Sequence, residues 1–467
     1  MKNRNGFAAV ALLAALACCP LPAAAQAAED APAEPPPRRV VLCLDGTWQS
    51  TYVRRQREGG DEVLKPTNVL KTCRSVFSWA PAGEREQLVY YDPGVGAASN
   101  FPGTSNRILH FADRTLGGAW GAGFEGKVEN ALTFLVHNLR DGDEVFVFGF
   151  SRGAAEARAV TRFLAWAGGL PVREDAYYLP IFYREYLASH GERPAAEVRA
   201  GIDARHAESE RLEEFRPVDV VFLGVWDTVM SLGSRFKSRR DTSTASRSFH
   251  VGAEPAAGVR HARQALAIDE ARFDFRPEIW SGAGAAQTLE QRWFAGDHSN
   301  VGGGYVDDGL ANVAFHWLLT EAAELGLEID DDFAGHYRAF PFDRLYVQRS
   351  PLLRLLDKLR GTSGRGVRSL VGRPVTANLT LDPAVIHRLR AAPGEFEEMG
   401  ERPYRPENVL RYLACVDDLD AHFAAIGLAP RHRELPEDVT ARLAELAADC
   451  RPGDVPPLPA AAQMEGP

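Results

Sequence analysis

Gly149-Phe150-Ser151-Arg152-Gly153 follows directly on the strand-like run Glu144-Val145-Phe146-Val147-Phe148 and precedes an alanine-rich helical stretch. A strand, a sharp turn with serine at its tip and a helix leave the backbone so crowded that only glycine fits two residues to either side of the serine. Such a turn pushes the hydroxyl out at the strand's end, where a base can reach it. The chain contains 42 glycines, so the five-residue match is informative only through this context. The alternative role for Ser151 is an ordinary helix cap.

The same signature of an apolar run stopped by a polar turn recurs along the chain. Val40-Val41-Leu42-Cys43-Leu44 ends at Asp45-Gly46-Thr47, and Val218 to Val225 ends at Trp226-Asp227-Thr228. Gln87 to Tyr91 is a further strand candidate, and Gln291-Arg292-Trp293-Phe294 is read as a last short strand, ending at Gly296-Asp297-His298. Between them, Val128, Leu132, Leu135, Val136 and Leu139 form one face of a helix over Lys127 to Leu139, and another helix runs from Ala154 to about Ala167. Unbroken apolar strands alternating with helices specify an α/β fold, with a mostly parallel sheet covered on both faces. Ligands of such sheets gather at the carboxyl ends of the strands, the expected positions of Asp45, Ser151, Asp227 and His298. Residues 172–216 read as charged helices, either a cap or surface padding, and from about 331 the sheet pattern gives way to a helical C-terminal extension.

The ends of the chain have a different character. Lys2 and Arg4, an apolar run from Gly6 to about Ala24 and the small residues Ala23-Ala24-Ala25 read as a secretory leader over residues 1–25, implying a periplasmic or secreted protein. A short membrane anchor is opposed by Pro20 and Pro22, and Cys18-Cys19 fits a lipoprotein cleavage box poorly. Residues 26–38 read as a disordered linker, 39–330 as the catalytic domain, 331–450 as the extension and 451–467 as a disordered tail. Without Lys2 and Arg4 the net charge falls from −10 to −12, which argues against nucleic acid as a partner. Four cysteines then remain. Cys43 with Cys73 and Cys415 with Cys450 are plausible disulfides, although Cys43 also suits a small buried hydrophobe.

A serine hydroxyl needs a histidine base, and the histidine a carboxylate to hold its tautomer. Ser151, Asp227 and His298, each after a strand, occur in the order typical of α/β hydrolases. Each partner has a plainer reading: Asp227 an Asx turn or helix cap, His298 a locally bonded loop histidine. Three glycines, Gly302-Gly303-Gly304, follow His298 closely and suggest a backbone passing close to the serine. Competing bases are His250, His261 in an apparently helical run, and His316 in a packed helix. The oxyanion hole would use the amide of Arg152 plus that of Gly46 or Thr47, unless Asp45-Gly46 is simply a turn. Gly121-Ala122-Gly123-Phe124-Glu125-Gly126 fits a dinucleotide fingerprint but follows no apolar strand, so nucleotide binding is discounted, and neither a cofactor nor a metal is expected.

The longer motifs resemble an uncharacterised α/β-hydrolase family that includes the catalytic domain of type VI secretion phospholipase effectors. The resemblance rests on Leu44-Asp45-Gly46-Thr47-Trp48, Pro66-Thr67-Asn68-Val69, Tyr91-Asp92-Pro93-Gly94-Val95-Gly96, Gly149 to Ala154, Gly224 to Val229, Val259-Arg260-His261-Ala262 and Trp293 to Tyr305. It implies an esterase or phospholipase activity, with Ser151, Asp227 and His298 on the family's triad. The family pattern usually has a small or apolar residue where Asp297 stands. An acid there could raise the basicity of His298 or compete with Asp227 as its partner.

One feature points to lipid independently. Arg349 to Arg373 holds seven basic residues against one acid, with Leu352, Leu353, Leu355, Leu356 and Leu359 at helical spacing. This suits peripheral contact with an anionic membrane or a lid, or else an ordinary surface helix. Arg235 to Arg240 is a second basic run. The expected activity is serine-dependent cleavage of carboxylic esters, of phospholipase or lipase type. The alternatives are a carboxylesterase on small soluble esters and a non-catalytic binding module on a hydrolase scaffold.

Overall fold

The structure, a computed structural model, describes residues 36–46, 54–56, 62–77, 85–94, 119–205, 212, 215–230, 251–272, 275–346 and 367–455. The expected leader, most of the linker, Thr47, Arg235 to Arg240, His250, residues 349–366 and the tail beyond 455 lie outside the described residues.

Seven strands form one sheet: β1 (Arg39–Leu44), β4 (Gln87–Asp92), β5 (Glu144–Phe150), β6 (Asp219–Trp226), β7 (Val259–Ala267), β8 (Thr288–Phe294) and β9 (Leu379–Leu381). Their order is β4-β1-β5-β6-β7-β8-β9, and every neighbouring pair is parallel. The hairpin strands β2 (Arg54–Gln56) and β3 (Glu62–Leu64) pair separately.

The two-residue period of the strands explains how continuous apolar runs serve two cores. Val40, Leu42, Leu44, Val145 and Val147 pack on one face, under the helices Ala119–Asn138 and Arg152–Ala167. Val41, Cys43, Phe146, Phe148 and Phe150 pack on the other, under α1 (Asn68–Ser75) and the helix Gly309–Glu324. The alternation is interrupted in β6, where Val221 and Phe222 both join the second face. The register against β5 skips one residue there, as in a β-bulge.

The described part of the extension adds more than helices. β9 pairs with β8, so Gln291–Phe294 is neither the full span of β8 nor the last strand. Helices Pro383–Arg390, Glu407–Ala414, Leu419–Ala425 and Glu437–Leu446 enclose a third core around Leu381, Ile386, Leu410 and Phe423. Disulfides join Cys43 to Cys73 and Cys415 to Cys450.

Residues 259–267 are the clearest departure from the sequence reading. The run containing His261 is β7, a strand between β6 and β8, not a helix. Its Ala, Arg, Gln and Leu favour helix only weakly, and insertion into the sheet overrides that preference. His261 Nδ1 lies 2.9 Å from Thr288 Oγ1 across the strand pair. The glycine-rich run 121–126 lies within the helix Ala119–Asn138. No described helix is long and apolar enough to cross a membrane.

Candidate active site

From β1 the chain goes to β4 on one side, then to β5 on the other, so strand order reverses between β1 and β5. This is the place where an open parallel sheet leaves a crevice beyond its carboxyl ends. Asp45 and Ser151 follow the two strands that flank it, and Asp227 follows β6.

Ser151 has φ 59° and ψ −120°. A non-glycine residue there costs roughly 1–3 kcal/mol, offset by the surrounding structure. Crowding enforces the turn: a Cβ on Gly149 would lie 2.5 Å from the Gly153 carbonyl oxygen, and one on Gly153 would lie 2.1 Å from that of Leu44. The Ser151 amide donates to the Trp226 carbonyl at 3.0 Å, fixing the tip to β6. Although Ser151 is the N-cap residue of Arg152–Ala167, its side chain makes no capping bond. Its Oγ lies instead 2.8 Å from His298 Nε2.

Asp227 is also left-handed, at φ 42°, and fully buried. No described helix begins at it. Its Oδ2 accepts from His298 Nδ1 at 2.6 Å and its Oδ1 from the Ala267 amide at 3.0 Å. Burial pushes the carboxyl up, but the Arg368 guanidinium and the His298 hydrogen bond outweigh it and hold Asp227 well below the usual carboxylate range.

His298 opens the five-residue helix His298–Gly302, and its ring sits between Phe150 at 4.7 Å and the edge-on ring of Phe275 at 5.0 Å. The glycines after it do let backbone approach closely, but their partners differ from the serine expected. A Cβ on Gly302 would meet the Phe150 ring at 1.9 Å, and one on Gly303, at φ 89°, would meet the Asn68 amide at 2.8 Å. Asn68 Nδ2 donates to the carbonyls of Val301 and Ala311, so the Pro66-Thr67-Asn68 turn braces the histidine loop.

Asp297 does not displace Asp227 as the partner of His298 Nδ1. Its Oδ1 caps the short helix through the Ser299 and Asn300 amides, and its Oδ2 accepts from Tyr305. Burial pushes it up to about 6 despite the Tyr305 hydrogen bond. The competing His316 is bonded through Nε2 to the Tyr337 carbonyl, 2.6 Å away.

Of the expected oxyanion donors, Arg152 supplies the first amide of the helix after Ser151. The Gly46 amide donates to Asp45 Oδ1 at 2.7 Å and is engaged within its own turn. Asp45 also accepts from Thr67 and Tyr91, yet burial pushes it up to about 6. Among the described residues no group of three or more His, Cys, Asp or Glu side chains could hold a metal ion.

The family model described as "T6SS, Phospholipase effector Tle1-like, catalytic domain" matches residues 38–321, more than half of the chain. The chain belongs to this family. Ser151, Asp227 and His298 all lie inside the matched span. An uncharacterized protein of Saccharomyces cerevisiae, YEL023C, is 23% identical over 243 residues, covering 51% of this chain and 32% of that protein. An uncharacterized protein from Pseudomonas aeruginosa of known crystal structure is 16% identical with a TM-score of 0.40, over 88% of this chain and 62% of its own. A structure of the Tle1 effector bound to the VgrG spike from the type 6 secretion system is 16% identical with a TM-score of 0.31, over 58% of this chain and 52% of its own. The chain thus spans less than two thirds of each.

One residue of the site lies outside the family domain and carried no local sign of its role. Arg368, within the basic stretch considered for membrane contact, is 5% exposed and reaches Asp227 with both terminal nitrogens. It is therefore unavailable to a membrane surface.

Proposed function

We propose that the protein is an exported lipid-ester hydrolase of phospholipase type that works by acyl transfer through Ser151, His298 and Asp227. The observation that carries this reading is the unbroken hydrogen-bonded line Asp227–His298–Ser151, 2.6 and 2.8 Å per link, inside a domain of a phospholipase effector family. Asp227, ionised, accepts a hydrogen bond from the Nδ1–H and leaves the Nε2 lone pair facing the hydroxyl. Ser151 Oγ attacks the ester carbonyl carbon while its proton passes to Nε2. The tetrahedral oxyanion is held by the Arg152 amide with a second donor, for which Thr47 is the candidate. Collapse breaks the bond to the alcohol or lysolipid, which leaves with the Nε2 proton. Water then repeats the sequence on the acyl-enzyme and frees the fatty acid. The Cys43–Cys73 and Cys415–Cys450 disulfides, and a family of secretion-system effectors, support action outside the cytoplasm.

The test is a fluorophosphonate probe on the full chain, with the adduct located by peptide mass spectrometry, followed by assays on phospholipid vesicles and short-chain esters. An adduct on Ser151 that disappears in His298→Ala, with fatty acid released from vesicles, is the expected result. No adduct with or without vesicles would overturn the hydrolase reading in favour of a binding module. Cleavage of short esters alone would replace lipid with a soluble substrate.

A further inference from the structure

We infer that Arg368, supplied by the C-terminal extension, is a positioning residue of the active site, fixing Asp227 so that His298 can act as a base. The inference rests on the hydrolase reading above and names a residue that neither the family domain nor the triad contains.

Arg368 Nη1 donates to Asp227 Oδ1 at 2.5 Å and Nη2 to Oδ2 at 2.9 Å, a two-pronged pairing. The same nitrogens donate to the carbonyls of Ala267 and Phe275, both at 2.7 Å. The guanidinium thus spans the end of β7 and the residue whose ring edge meets His298. The arginine is itself anchored: Asn408 Nδ2, on the helix Glu407–Ala414, donates to the carbonyls of Arg368 and Ile268, each at 3.1 Å. With His298 Nδ1 and the Ala267 amide added, Asp227 accepts four hydrogen bonds, about the full capacity of a carboxylate. An ordinary surface ion pair would show none of this.

The pairing has two consequences. A fully buried carboxylate without a cation tends to bind a proton, and a protonated Asp227 could donate to Nδ1 and impose the tautomer with Nε2 protonated. Arg368 prevents that. Its two-pronged grip also fixes the orientation of the carboxylate that His298 Nδ1 meets. Among the described residues, the other charged groups facing this corner are Glu270, which accepts from the His298 amide at 3.4 Å and pairs with Arg272, and Asp269, held by Tyr404.

The experiment compares the full-length wild type with Arg368→Met, Arg368→Lys, Asp227→Asn and the double variant Arg368→Met/Asp227→Asn. Fluorophosphonate labelling of Ser151 and ester hydrolysis are followed against pH, and the Nδ1 proton of His298 by low-field proton NMR. Arg368→Met is expected to lower kcat by about 10²–10³-fold with little change in KM, because it touches no substrate. The acidic limb of its pH profile should move to higher pH, while Arg368→Lys restores the limb and part of the rate. In the Asp227→Asn background the methionine should cost nothing more. The double variant also removes both buried charges, so it keeps the test open if Arg368→Met alone fails to fold. Equal losses in both backgrounds, or an unshifted limb with wild-type labelling, would overturn the inference while leaving the hydrolase intact. A wild type that neither labels nor hydrolyses would overturn the hydrolase reading. The NMR signal would then decide alone: lost in Arg368→Met it supports the positioning role, unchanged it refutes it.

Discussion

Gly153→Ala isolates the crowding that makes the serine turn. The added Cβ would stand 2.1 Å from the Leu44 carbonyl oxygen and 2.5 Å from that of Asp45, both backbone atoms at the end of β1. Restoring ordinary contact requires the start of Arg152–Ala167 to move from β1 by roughly 1 Å. That movement pulls on Ser151, which directly precedes the helix, against its amide hydrogen bond to the Trp226 carbonyl. Overpacking of this kind costs about 1–3 kcal/mol of stability. A displacement of ~1 Å between nucleophile and base costs about 10²-fold in rate. The labelling rate of Ser151 should therefore fall by that order while the protein still unfolds cooperatively at a lower temperature. Gly126→Ala is the control: it lies in Ala119–Asn138 with nothing within 4 Å of the new Cβ, and should gain about 0.5–1 kcal/mol with labelling unchanged. Wild-type labelling by Gly153→Ala would refute the claim that this contact sets the serine's position.

Other outcomes follow from neighbouring features. Ser151→Gly should abolish labelling yet raise stability by about 1 kcal/mol in thermal unfolding, because glycine adopts φ 59° without strain. Asp45 and Asp297 are both pushed up to about 6 from 3.8, so between these values the folded protein binds more protons than the unfolded chain. Stability should accordingly rise as pH falls from about 7 towards 4, and Asp45→Asn should flatten part of that rise in urea titrations. Asp227 acts in the opposite sense: its folded-state carboxyl is held below the ordinary value of 3.8, so the stability it contributes is complete above that value and is lost progressively as pH falls below it. Replacing Cys415 and Cys450 together by serine opens a link between residues 35 apart and should cost about 3–4 kcal/mol, read from the shift in unfolding midpoint.

Much of the fold was legible because its signals are local. An apolar run of five to eight residues, a two-residue side-chain period and a glycine-serine-glycine turn each reside within about ten residues, and the sheet follows from them. The same locality put Ser151, Asp227 and His298 at strand ends and in a usable order. Where local preference was weak, the reading failed: residues 259–267 carry helix formers, and only their place between β6 and β8 makes them a strand. β9 was missed because three residues are too few to display a period. Asp297 showed an acid beside the histidine, but its use as a cap depended on where the Ser299 and Asn300 amides came to lie.

The sequence of this chain determined that β1, β4, β5 and β6 lie in the sheet, how their side chains alternate outside the bulge in β6, and where a serine is forced out of a turn. Tertiary structure alone decided what each end-of-strand residue meets. Phe150 against Gly302 joins residues 152 positions apart, and Arg368 against Asp227 joins residues 141 apart. Backbone sterics and periodicity act between near neighbours in the chain and leave a pattern in it. The charge that holds Asp227 arrives by packing, and a buried arginine is written no differently from one facing water.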